Sequence, residues 1–110
     1  MKDKQRFEHI LRHYNELCFE LKNYEEEDDS KRKELIYKKA IYMDLFQIGE
    51  HINNLSDETK AKLSANDLRG VINIRNFIGH GYVVLDDEII WDSIRNDCPR
   101  LIEALQKIFG

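Results

Sequence analysis

The stretch Phe7-Glu8-His9-Ile10-Leu11-Arg12-His13-Tyr14-Asn15-Glu16-Leu17-Cys18-Phe19-Glu20-Leu21-Lys22-Asn23-Tyr24 places Phe7, Ile10, Leu11, Tyr14, Leu17, Cys18, Leu21 and Tyr24 at spacings of three and four. That spacing lines one side of an α-helix of about 20 residues. The run Glu25 to Asp29 then interrupts it. A block of like charge repels itself and reads as an exposed loop.

Beyond the loop, a second long helix is predicted from Lys31 to about Asn54. Leu35, Ile36, Ala40, Met43, Phe46 and Leu55 supply its apolar face. Ser56-Asp57-Glu58 reads as the cap and first turn of a short helix reaching about Leu63. Asp67 can cap a further helix carrying Leu68, Val71, Ile72, Ile74, Phe77 and Ile78, with Gly79 and Gly81 as terminators. Asp86 or Asp87 can start the last helix, lined by Ile90, Ile94, Cys98, Leu101, Leu105 and Ile108. Pro99 falls inside that pattern, removes a backbone donor and should kink the helix. Val83-Val84-Leu85 is strand-like but too short to build a sheet. The fold is read as an all-α bundle of four to five helices, with the two long helices antiparallel and residues 1–110 forming a single domain.

Composition agrees with long helices. Charged residues make up 35% against a single Pro and five Gly, a mixture rich in helix formers and poor in turn formers. No apolar run approaches the roughly 18 residues of a membrane span, and no signal peptide is read at the N-terminus. A cytoplasmic location is expected. Cys18 and Cys98 both fall at apolar helical positions and read as buried free thiols rather than a disulfide. The net charge is −4, but the five acids at 25–29 account for it, so the remaining surface is close to neutral. Charge neither supports nor excludes a phosphate ligand.

Chemistry concentrates in Arg75-Asn76-Phe77-Ile78-Gly79-His80-Gly81-Tyr82. A guanidinium holds phosphate through a rigid fork of donors, and an imidazole moves protons near neutral pH. On an ideal helix, five residues leave Arg75 and His80 roughly 140° apart. A helix ending near Gly79, with the glycine left-handed, would let His80 curl back.

The pattern Arg75-Asn76-x-x-x-His80-x-Tyr82, followed by Asp86-Asp87-Glu88-Ile89-Ile90-Trp91, resembles the HepT-like branch of the HEPN superfamily. The layout is similar too: a long first helix, a second helix containing Ile48-Gly49-Glu50, and a Leu-rich C-terminal helix. The segment before the motif, 67–71, lacks the Pro-Trp pair of many relatives. The resemblance implies a HEPN-like bundle that dimerises, with the motifs of both protomers meeting at the interface. It implies a metal-independent ribonuclease, the toxin of a toxin–antitoxin pair, with Arg75 and His80 catalytic and Asn76 supporting. Its implied partners are RNA, a second copy of the chain and a minimal nucleotidyltransferase antitoxin of the MntA type. That antitoxin would transfer AMP from ATP onto Tyr82. No cofactor or metal is expected on this chain, and no membrane.

Each residue also has a plainer reading. Arg75 could snorkel from the bundle to a carboxylate. His80 could meet a helix dipole, and Tyr82 could sit in the core. His9 and His13, with Glu16 and Glu20 continuing the row, have the spacing of a helical metal face, but flank the apolar stripe where polar residues are ordinary. Lys31, Arg32, Lys33, Lys38 and Lys39 could guide RNA or simply be solvated. Trp91 reads as packing or interface. A second function class, a non-catalytic helical partner or substrate-binding module for a nucleotidyltransferase, stands beside the ribonuclease. A dimerising bundle whose motif only caps the interface is a third.

Overall fold

A computed structural model describes residues 1–79 and 87–110. Helix α1 is Asp3–Glu26. Helix α2 (30–53) runs unbroken through Ser30–Arg32, a π turn at Lys33–Tyr37, and Lys38–Asn53. Short α3 is Asp57–Lys60 and α4 is Ala65–Gly79. Helix α5 (87–109) joins Asp87–Asp92, a second π turn at Ser93–Asp97, and Cys98–Phe109. Among the described residues there is no strand, and no helix is long and apolar enough to cross a membrane.

Side-chain pairings fix the register. His13 meets Asp44, Arg6 meets His51, and Lys33 lies over the Tyr24 ring. As position falls along α1 it rises along α2, so the two long helices are antiparallel. Helix α5 is antiparallel to α1 in the same way: Tyr24 packs on Trp91 at one end and Phe7 on Phe109 at the other. Helix α4 bridges α2 and α5. Arg75 reaches Glu50 on α2, while Asp67 accepts a fork of hydrogen bonds from Arg100 on α5 at 2.9–3.2 Å. Between the helices lie Ile10, Leu17, Ile41, Leu45, Ile48, Ile52, Val71, Ile74, Cys98, Leu101 and Leu105, all essentially sealed from solvent. Burying each large aliphatic side chain contributes roughly 1.5–3 kcal/mol.

Several sequence expectations change. Helix α1 continues into the acidic run as far as Glu26, and Asp29 caps α2 by accepting from Lys31 N and Arg32 N. The buried stripe of α2 is Ile41, Leu45, Ile48 and Ile52, whereas Leu35, Ile36 and Met43 are more than half exposed. This helix carries two apolar stripes, and the more β-branched one faces the core. Cys98 is buried as expected, and burial pushes its thiol up to about 12. Cys18 is exposed at the edge of the α1 stripe, and both thiols are free. Ser64, not Asp67, caps α4, accepting from Asp67 N at 3.4 Å. The Asp67 carboxylate is instead the buried partner of Arg100. Pro99 does not break α5. The Cys98 N–H donates to the Ser93 carbonyl five residues back, so a π turn, with its shifted bonding, adjoins the residue that has no donor to give.

Asp3 ties the start of α1 to the start of α3. Its carboxylate accepts from Ser56 N at 3.0 Å and from the Ser56 and Thr59 hydroxyls at 2.5 Å each. The Ser56 and then the Thr59 hydrogen bonds hold this carboxyl below its usual range. A depressed carboxyl stabilises the fold above its unfolded pKa and loses that contribution as pH falls through the folded value. Asp3→Asn is therefore expected to lower stability at pH 7, by an amount that solvent screening of this exposed carboxylate keeps below about 1 kcal/mol. In urea titrations its gap from the parent protein should shrink as pH drops below about 4.

Candidate functional site

Arg75 projects from the last turns of α4 toward α2. Its Nε donates to Glu50, its Nη2 forms an ion pair with the same carboxylate, and its Nη1 donates to Asn76 Oδ1 at 2.7 Å. The guanidinium carbon stands 6.0 Å from the Phe46 ring centroid, within cation–π range. A guanidinium has five N–H donors, so these partners orient the group without exhausting it. The side chain remains 27% exposed, enough for a ligand to reach it.

Close helix packing makes this arrangement possible. A Cβ on Gly49 would lie 2.5 Å from Arg75 Cβ and 3.4 Å from the Val71 carbonyl. Only glycine lets α4 approach α2 so nearly at this crossing. Gly79 serves the same end rather than the expected turn. It is the last helical residue of α4, and a Cβ there would sit 2.9 Å from the Phe46 ring. The proposed left-handed break at Gly79 is thus replaced by a helical residue packed against an aromatic face.

The start of α5 is held by the same face of α2. Lys38 donates to Asp87 at 2.7 Å and to Glu34 at 3.0 Å, and the Tyr42 hydroxyl donates to Asp87. Lys38 first and Tyr42 second hold the Asp87 carboxyl below its usual range. Burial, reinforced by Asp87, pushes the Tyr42 phenol well above its ordinary value. For Lys38, burial works against the ammonium, but the bonds to Asp87 and Glu34 outweigh it and raise its pKa. Both described ends of the interval 80–86 therefore rest on α2: Gly79 on Phe46, and Asp87 on Lys38 and Tyr42.

Of the residues singled out in the sequence, Arg75 and Asn76 meet directly. His80 and Tyr82 lie outside the described residues. Glu50, Tyr42 and Phe46 were not singled out as site residues, and Lys38 was singled out only as a possible RNA guide, not as a grip on Asp87. Their spacing of four along α2 is the signal that could have found them. Within the basic cluster, Arg32 pairs with Glu27, Lys33 lies over Tyr24 and Lys38 is committed to Asp87, leaving Lys31 and Lys39 as its more open members.

A family model described as ribonuclease HepT-like matches residues 10–108. "Putative RNase TTE0752" of Caldanaerobacter subterraneus subsp. tengcongensis is 29% identical over 101 residues, covering 92% of this chain and 88% of that protein. "Putative RNase MJ0127" of Methanocaldococcus jannaschii is 31% identical over 71 residues, 64% of this chain. That alignment spans 59% of the archaeal relative's length. No solved structure was found to match the chain.

Gly49→Ala should force α4 away from α2. The expected cost is about 1–3 kcal/mol, read as a lower denaturant midpoint at unchanged m-value.

Proposed function

The chain belongs to the HepT-like ribonuclease family, and from that premise we propose that it cleaves RNA at a site built on Arg75 and His80. The observation that carries this reading is the part-exposed Arg75 guanidinium, which Glu50 and Asn76 hold in place without using all five of its donors. RNA supplies its own nucleophile. His80 takes the proton of a 2′-hydroxyl, the 2′-oxygen bonds to phosphorus, and the bond from phosphorus to the 5′-oxygen breaks. The departing oxygen takes a proton, leaving a cyclic phosphate and a 5′-hydroxyl. Proton transfer of this kind is worth roughly 10²–10⁴-fold. Arg75 stabilises the charge that grows on the phosphoryl oxygens. No step needs a metal, and none is routed through one.

The same reading includes a homodimer. Leu35, Ile36, Met43, Phe77 and Ile89 are exposed apolar residues, and each lies within three positions of Lys38, Tyr42, Arg75 or Asp87. A second copy docking there would cover this rim and bring two Arg75 groups to one cleft, so acid and base can come from different chains. Large apolar side chains beside a polar site suit such an interface.

Regulation follows from the phenol of Tyr82. An antitoxin nucleotidyltransferase of the MntA type would direct its oxygen at the α-phosphorus of ATP, releasing pyrophosphate and leaving AMP on the ring. The added anion and bulk would exclude an RNA phosphate from the cleft. The pair would then act as a toxin–antitoxin system.

Purified protein is expected to cut RNA in EDTA. His80→Ala should reduce the rate by 10²-fold or more, and Arg75→Lys should reduce it because an ammonium cannot replace a bidentate fork. Cleavage that persists in both variants rejects the site. Tight binding to a nucleotidyltransferase with no RNA turnover would favour the non-catalytic module instead. Co-expression with the nucleotidyltransferase should add adenylate mass to Tyr82, and Tyr82→Phe should remove that gain.

A further inference from the structure

On the far side of α2 from Arg75's partners, a second polar cluster takes no part in the RNA chemistry. His13 Nδ1 lies 3.1 Å from Asp44 Oδ1 and 3.5 Å from Glu16 Oε2. All three potential ligand atoms fall within 4.8 Å of one another. Local structure explains the meeting: His13 and Glu16 are three apart on α1 and share a face, and the antiparallel register sets Asp44 of α2 opposite His13. Asp44 is buried, His13 is half-buried, and Glu16 is exposed enough to swing.

The cluster is short of positive charge. Among the described residues, His13 is the ion-pair partner of both carboxylates, and no Lys or Arg reaches either. The nearby His51 ring stands 6.3 Å from that of His13.

We propose that His13, Glu16 and Asp44 form a binding site for one divalent transition-metal cation of the zinc class, which clamps α1 to α2. Zinc bonds to imidazole nitrogen and carboxylate oxygen at about 2.0–2.2 Å, which sets tetrahedral ligand atoms roughly 3.3–3.6 Å apart. Two of the spacings already lie near that range, and the Glu16 rotamer can supply the third. One imidazole with two carboxylates selects zinc over manganese and strongly over magnesium, because the nitrogen donor favours the later transition metal. Three protein ligands leave a fourth position for water.

The test uses the full chain, stripped with a chelator and then titrated with zinc chloride in calorimetry and thermal melts, with no RNA present. One zinc should bind per chain. Zinc at about 100 times its Kd should raise Tm by roughly 10 °C. Manganese should bind at least about tenfold more weakly, and magnesium should give no shift. H13Q and E16Q should keep their helical circular dichroism while losing about tenfold or more in zinc affinity. H9Q, in the ring that stacks on His51 at 5.1 Å, should bind as the parent does. Parental affinity in H13Q and E16Q, loss in H9Q instead, or no melting shift with zinc would overturn the assignment. Because nothing in this test reads RNA cleavage, its failure is separate from failure of the ribonuclease reading.

Discussion

Four residues of α2, spaced four apart, carry the parts of the candidate site. Lys38 and Tyr42 grip Asp87, Phe46 lies beneath Gly79 and Arg75, and Glu50 holds the guanidinium. Residues at i and i+4 stack on one helical face, so a single rigid element positions two others. The arrangement depends on how closely α4 can approach, and Gly49 sets that distance. The polar contacts along this row are part-buried, where each counts for more than on an open surface.

Helix α2 serves three neighbours through three faces. Ile41, Leu45, Ile48 and Ile52 face the core. The Lys38 to Glu50 row faces α4 and the start of α5. Asp44 and His51 face the polar side chains of α1. A helix so committed has little freedom to rotate, because any turn that improves one face misaligns the other two. The acidic cluster with His13 and the Arg75 site thus share a scaffold while differing in charge: one gathers carboxylates around an imidazole, the other gathers acceptors around a guanidinium.

Much of the architecture was legible in the sequence because helical periodicity is local information. The α1 stripe, the Ser56 cap and the start of α5 at Asp87 all follow from short-range chemistry. The family pattern around Arg75 was legible as well, since it lies within one stretch. What the sequence did not show was long-range choice. Two apolar stripes compete on α2, and nothing local says that Ile41 and Ile48 rather than Leu35 and Met43 turn inward. Asp67 is a good cap by residue type, yet a partner 33 residues away claims its carboxylate and Ser64 takes the capping role. Glu50 and Asp44 read as ordinary helical acids until their neighbours on other helices are known.

The π turn before Pro99 limits which changes of length this helix tolerates. It holds one more residue than a regular α turn, and it lies where the proline withholds a donor. Deleting a residue from 93–97 alone would restore regular winding and drive the pyrrolidine ring against a carbonyl of the preceding turn. Removing the extra residue while Pro99 remains should therefore cost stability, because the ring would meet a carbonyl that the wider turn now spares it.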